Sequence, residues 1–161
     1  MQFSENSRVW IYQSDKELTT EQTQKLQQQL DNFTHNWTAH NHQLKAAAVV
    51  KYNRFITLIV DESQAGATGC SIDKSVHFMK QVEQEYYINL FDRFNLAYRT
   101  GSGIVSAPRA QFEELIKTGV IDENTGVFNN MVQTLADLQT KWEVPLKDSW
   151  HMQLFGDLLV G

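Results

Sequence analysis

The chain has 161 residues, 42% hydrophobic and 20% charged, enough for one ordinary domain or two small lobes around one core and outside the disordered class. Its net charge of −5 and sequence pI near 5.5 disfavour a general nucleic-acid binder, which needs a basic footprint to displace counterions. No apolar run approaches the roughly 20 residues of a membrane span.

The opening MQFSENSRVW has no basic region followed by an apolar core, so no signal peptide is expected. One cysteine allows no internal disulfide, and the expected location is the cytoplasm.

Residues 8–14, RVWIYQS, mix β-branched and aromatic residues and predict a first strand. ELTTEQTQ then opens a helix, with Thr19 and Gln22 spaced as a capping box. Leu26, Leu30, Phe33 and Trp37 follow at helical spacing as one narrow apolar stripe, and the polar TAHNHQ ends the helix. LKAAAVVKY and RFITLIVDE are parted only around Asn53, which tolerates left-handed backbone angles, so they predict a tight hairpin. Its second arm is almost wholly apolar, as a central strand covered on both faces requires. DESQAGATG (61–69) is a loop. Ser71 is the expected cap of a second helix running to about Leu90, with Ile72, Val76, Met79, Tyr86 and Leu90 as its buried stripe.

FNLAYR, TGSG and IVSAP predict another hairpin with glycines at its turn. Pro108 falls in the first turn of a short helix, RAQFEELIKTG, which Gly119 ends. Val127 to Trp142 predicts one more helix, with Met131, Leu135, Leu138 and Trp142 in register and Pro145 as its stop. KDSWHMQLF predicts a final short helical segment. The expected fold is α+β: a ferredoxin-like βαββα unit over 1–93, with a hairpin-and-helix segment over 94–161 packed on it as one compact body.

FITLIVDES (55–63) ends as the Walker B strand of an ATPase ends, and Lys74-Ser75 matches the close of a phosphate loop. A phosphate loop needs glycine where backbone N–H groups approach the phosphates. No glycine precedes Gly66, and aligning Lys74-Ser75 to the motif puts Thr68 and Asp73 where its glycines belong. ATPase activity is therefore not expected, and the segment reads as a buried strand running into an acidic loop.

Cys70 lies at the expected start of the second helix, where free N–H groups and the helix dipole favour a thiolate. A nucleophile also needs a base within hydrogen-bond reach. His77 is two turns away, which leaves His151 or His40. Gly69, Ser71 and Lys74 are the candidate contacts for a small anion at the same helix start. His35, His40 and His42 crowd together without the spacing of a zinc site, so neither metal nor cofactor is expected.

RVWIYQSD, LIVDES with GCSIDKSVHF, FDRFN, VFNNMVQTLADLQTKW and VPLKDSWH resemble, across the chain, a family of small uncharacterised bacterial proteins often labelled "ABC transporter ATPase". The resemblance implies membership alone, and no catalytic residue comes with it. FEELIKTGVIDENTGVF resembles the helix-turn-strand of GYF-like peptide-binding modules, without the aromatic signature that supplies their proline-peptide groove.

The function expected from these residues is a non-enzymatic binding or interaction protein whose partner is a protein, a peptide or a small anion, with no nucleic acid and no membrane. The alternative is a small hydrolase or transferase using Cys70.

Overall fold

A computed structural model describes residues 2–159. Strand β1 (Arg8–Gln13) leads into helix α1 (Thr20–His35). The helix starts on the expected capping box: Thr19 Oγ1 accepts the Gln22 N–H, and Gln22 Oε1 accepts the Thr19 N–H. Leu26 and Leu30 are fully buried. Trp37 extends the same stripe into the core, although the helix has ended by then. The polar stretch after α1 is itself a small hairpin, β2 (Thr38–Ala39) and β3 (His42–Gln43). Its turn residues His40 and Asn41 are both left-handed, at φ 49° and 64°.

The second hairpin is β4 (Lys45–Lys51) and β5 (Phe55–Asp61), in register from Lys51 opposite Phe55 to Lys45 opposite Asp61. Tyr52 and Asn53 make its turn at φ 57° and 55°. All seven residues of β5 are buried. It is the centre of a sheet ordered β1-β5-β4 and is antiparallel to both neighbours. Alternation along β5 sends Ile56, Leu58 and Val60 to one face and Phe55 and Ile59 to the other, as the two-residue period of a strand demands. The outer edge of β4 is partly closed by α1. Gln27 Nε2 donates to the Ala48 carbonyl at 2.8 Å, and its Oε1 accepts the Val50 N–H at 3.0 Å.

Helix α2 (Gly69–Tyr86) stops short of Leu90, because Tyr87 turns left-handed at φ 54° and its N–H returns to the Glu83 carbonyl. The next hairpin is β6 (Asn95–Thr100) and β7 (Gly103–Pro108), turning at Gly101-Ser102. Helix α3 (Arg109–Lys117) has Pro108 at its cap position, one residue before its first turn. Gly119, at φ 81°, takes the chain out of it, a backbone angle that glycine adopts without steric cost.

The single helix expected from Val127 to Trp142 does not form. Strand β8 (Gly126–Phe128), helix α4 (Leu135–Lys141) and strand β9 (Glu143–Pro145) occupy that stretch. Val127 pairs with Tyr98 on one side and Val144 on the other. Asn129 Oδ1 accepts the Met131 N–H, which holds a turn. Thr134 then caps α4 through the Asp137 N–H at 3.2 Å. Met131, expected in a buried stripe, is 62% exposed. After a short 3-10 turn (Leu146–Asp148), α5 (Met152–Leu159) closes the described chain.

The second sheet is ordered β7-β6-β8-β9. One apolar cluster joins α1 and α2 to the Ile56/Leu58/Val60 face of the first sheet. Another joins α3 and α5 to the Leu96/Tyr98 face of the second sheet. A third lies between the sheets, where Val9, Phe55 and Ile59 meet Ala97, Phe128, Val132, Leu138 and Trp142. The layers therefore run helix, sheet, sheet, helix. Residues on both sides of position 93 build the middle cluster, and each fully buried large side chain in it contributes about 1.5–3 kcal/mol. The free edge of β1 is covered by residues 133–136: Val9 N–H donates to the Gln133 carbonyl, and the Leu135 N–H donates to that of Ser7. No described helix is long and apolar enough to cross a membrane.

Candidate functional site along helix α2

The cap of α2 is Thr68, not Ser71. Thr68 Oγ1 accepts the Ser71 N–H at 3.3 Å, while Ser71 Oγ accepts the Thr68 N–H at 2.7 Å and donates to the Thr68 carbonyl at 2.9 Å. Serine at the third helical position thus plays the part that Glu or Gln has in the usual capping box. Ser71 is buried, and the indole N–H of Trp37 donates to its carbonyl at 2.9 Å. Gly69 and Cys70 lie on the outer side of the same turn, where Cys70 is exposed and a Cβ added to Gly69 would meet no atom within 4 Å. Lys74 is one turn further on and also exposed. The four candidate residues thus share a helix start, with Ser71 turned inward and the other three outward.

His151 is far from this turn. It belongs to the α3/α5 layer, stacked between Phe112 and Trp150, and both sheets lie between it and α2. Its Nδ1 meets Ser149 Oγ at 3.0 Å. Burial pushes its pKa down to about 4, so the ring is neutral at pH 7. His35, His40 and His42 are exposed around the β2–β3 hairpin. Among the described residues, no group of three His, Cys, Asp or Glu side chains comes together to hold a metal.

Lys74 forms part of the wall of a cleft of about 380 Å³ between α1 and α2, together with Asn32, Phe33, Asn36, Trp37 and Phe78. Phe33 stacks on Phe78 with ring centres 4.6 Å apart and tilts against Trp37 at 5.3 Å. An aromatic wall, amide groups and one ammonium suit a flat ligand with a negative substituent.

Asp61 and Glu62, the pair that ends the Walker-like strand, are committed within the protein. Asp61 is buried and accepts from the Ser63 hydroxyl and N–H and from the Ser4 N–H, with the Lys45 ammonium 3.4 Å away. The Ser63 hydroxyl, then the Ser4 and Ser63 N–H groups, hold its carboxyl far below the usual carboxylate range. Glu62 Oε2 accepts the Ala67 N–H at 2.8 Å, and its other oxygen is 3.6 Å from Arg8. The acidic pair clamps the N-terminal segment and the 62–67 loop.

At its far end α2 delivers a loop that sequence reading missed. From Tyr87 to Phe91 the chain alternates, and residues 91–94 are all on the outside: Ile88 and Leu90 are buried, whereas Tyr87, Phe91 and Phe94 are 83%, 37% and 61% exposed. The loop is fastened from several directions. The Leu90 N–H donates to Glu83 Oε2 at 2.7 Å, and the Asn89 N–H to Asp15 Oδ1 at 2.8 Å. Asn89 Oδ1 and Asp92 Oδ1 accept the Phe91 and Phe94 N–H groups, both at 2.9 Å. The Lys16 ammonium reaches the Tyr87 carbonyl at 3.3 Å, and that of Lys80 stands 4.6 Å above the Phe91 ring. The aromatic density of YYINLFDRFN was the available signal, but a helix drawn through to Leu90 hides its alternation. Compared with protein-family models, curated proteins and solved structures, the chain finds no match.

Proposed function

We propose that the protein is a non-enzymatic interaction protein that docks a protein partner through the 87–94 loop. The observation that carries this reading is three outward aromatic side chains on one loop whose backbone is held by five side-chain acceptors and donors from Asp15, Lys16, Glu83, Asn89 and Asp92. Aromatic residues dominate binding hot spots, and a loop ordered in advance loses little entropy on docking. Lys16 and Lys80 stand beside Asp15, Glu83 and Asp92 around the loop, so the complementary surface is an apolar socket with a rim of both charges.

The test compares the wild type with a Tyr87→Asn/Phe94→Ser variant, Asn being a residue that tolerates the left-handed angle at 87. A photo-crosslinker at Phe91 should trap a defined protein from the source cells in the wild type and lose it in the variant at unchanged melting temperature. The same adducts from both proteins would refute the reading.

A second reading has one observation of its own, the cleft beside Lys74. There a small flat anion would stack on Phe33 and Phe78 and meet the ammonium. The hydrolase or transferase reading of Cys70 still needs a base beside the thiol, and His151 is on the wrong side of both sheets. The fold that accompanies the proposal is ferredoxin-like in its first half. Its support is the order β1-β5-β4, in which β1 and β4 run parallel around an inserted antiparallel strand with two helices on one face. The cytoplasm is the proposed location; the single cysteine, together with the lack of a membrane-crossing helix among the described residues, supports it.

A further inference from the structure

Strand β4 is the outer strand of the first sheet, so one side of its backbone has no neighbouring strand. The side chains around it show which residues face that side. The Gln27 carboxamide, on α1, bonds the Ala48 carbonyl and the Val50 N–H, whereas Thr57, on β5, donates to the Val49 carbonyl. Backbone groups alternate in direction from residue to residue along an antiparallel strand. The N–H and C=O of Ala46, Ala48 and Val50 therefore point outward, and those of Lys45, Ala47, Val49 and Lys51 point to β5. Just before the strand, the Leu44 N–H donates to the Trp37 carbonyl at 3.0 Å. Trp37 and Gln27 thus close the edge on either side of Ala46, while the N–H and C=O of Ala46 itself meet no partner among the described residues.

A cleft of about 550 Å³ adjoins this residue. Asp31 and His35 of α1, Lys45, Ala46 and Ala47 of β4, and Gln64 of the following loop line it. Side chains 46 and 47 point to opposite faces of the sheet, so a cleft that touches both lies across the strand edge. The edge is open at Ala46, which is half-buried, and shut at Ala48, which is 3% exposed. The Ala46 side chain packs into the cluster that α1 and α2 form on this sheet. Asp31 is exposed, accepts Gln27 Nε2 at 2.8 Å and forms no ion pair among the described residues. The Lys45 ammonium is already held by Asp61 and by the Gln2 carbonyl.

We propose that the β4 edge at Ala46 binds an extended peptide carrying a basic side chain. One peptide residue lies antiparallel to Ala46 and exchanges both N–H···O bonds with it, as a hydrogen-bonded pair of a ladder does. Its side chain then falls on the same face as that of Ala46, the face covered by α1, where Asp31 supplies the countercharge. The net charge of −5 favours the same partner. Because Trp37 and Gln27 close the neighbouring positions, the pairing is short and the complex is weak and reversible. The site shares no residue with the 87–94 loop or the Lys74 cleft.

The probe is the peptide acetyl-Val-Lys-Val-amide, read by nitrogen-edited NMR of the full chain. In the free protein the Ala46 N–H should exchange rapidly with solvent. The peptide should move the Ala46 amide signal along a saturating curve and slow that exchange. Methylating the peptide's lysine backbone nitrogen removes the donor to the Ala46 carbonyl and should weaken binding about fivefold, the value of one net hydrogen bond. Glutamate in place of the peptide's lysine should also weaken it. Ala46→Pro removes an outward N–H alone, which an edge strand tolerates, and should abolish saturation. If Ala46→Pro does not fold, the methylated peptide carries the test on the wild-type chain. Equal binding of the methylated or the glutamate peptide, or no saturable shift at Ala46, overturns the proposal. So does an Ala46 shift that grows with protein concentration alone, which would assign the edge to a second copy of the chain.

Discussion

The Trp37 indole N–H donates to the Ser71 carbonyl at 2.9 Å, in the buried space between the end of α1 and the start of α2. One bond therefore fixes both the floor of the Lys74 cleft and the turn that carries Gly69, Cys70 and Ser71. Trp37→Phe should cost about 0.5–1.5 kcal/mol for the lost hydrogen bond, plus the packing of the missing ring. Urea unfolding would measure the sum. Chemical shifts of Lys74 and Phe78 should change while those of β6 and β7 stay in place.

Ser71 is part of the cap and faces inward. Ser71→Ala should therefore lower stability by about 0.5–2 kcal/mol and leave any anion-induced shifts at Gly69 to Lys74 as they are in the wild type. Loss of such shifts in Ser71→Ala would return this residue to the list of ligand contacts. Thr68→Ala should cost a similar amount, since the two side chains cap the same turn reciprocally.

Stability should fall on mild acidification. His151 titrates near 6.5 when unfolded and at about 4 when folded, so between those values the unfolded chain binds a proton that the folded chain refuses. The stability is complete above pH 6.5 and is lost as pH falls toward 4, by at most about 3 kcal/mol. Asp61 acts lower on the scale. Its folded carboxyl lies far below its unfolded value, so its contribution is present above the ordinary carboxylate range and disappears as pH drops through and beneath it. His151→Phe should flatten the first step and leave the second. Unfolding midpoints measured from pH 7 to pH 3 would separate them.

ATP should not be hydrolysed. The purified protein is expected to show no turnover with Mg-ATP, and Asp61→Asn should act on structure alone. It weakens the acceptor of the Ser4 N–H, so hydrogen exchange at Ser4 should quicken. Turnover abolished by Asp61→Asn or Glu62→Gln would overturn this expectation.

Much of the first half is legible because its signals are local and agree with one another. Thr19 and Gln22 are three residues apart and form the box that this spacing predicts. Asn53 marks a left-handed turn, and the apolar run of β5 is central as its composition requires. The segment after Phe128 misleads because Met131, Leu135, Leu138 and Trp142 fall on a helical period by coincidence. The Tyr98–Val127 pairing and the Thr134 cap override that period, and the first of these is a long-range contact. The α2 cap was shifted by one turn because Thr68 and Ser71 are both good capping residues and only the geometry tells them apart. Tyr87 in a left-handed angle has no sequence signature, since glycine or asparagine is the usual residue there. The placing of Arg54 is invisible for a different reason: its guanidinium meets the Ser106 hydroxyl of the opposite sheet at 3.0 Å, a contact that no local signal announces.

Residues 133–136 cover the edge of β1, and Phe128 and Trp142 cover Phe55. A ribosome makes the covered parts long before their cover. While the second half is still being synthesised, the emerging first sheet presents an unpaired strand edge and a bare aromatic face, the combination that recruits other chains. The aggregation risk of this protein is therefore concentrated in the time between completion of β5 and arrival of α4. A chain truncated after position 93 would remain in that exposed state permanently.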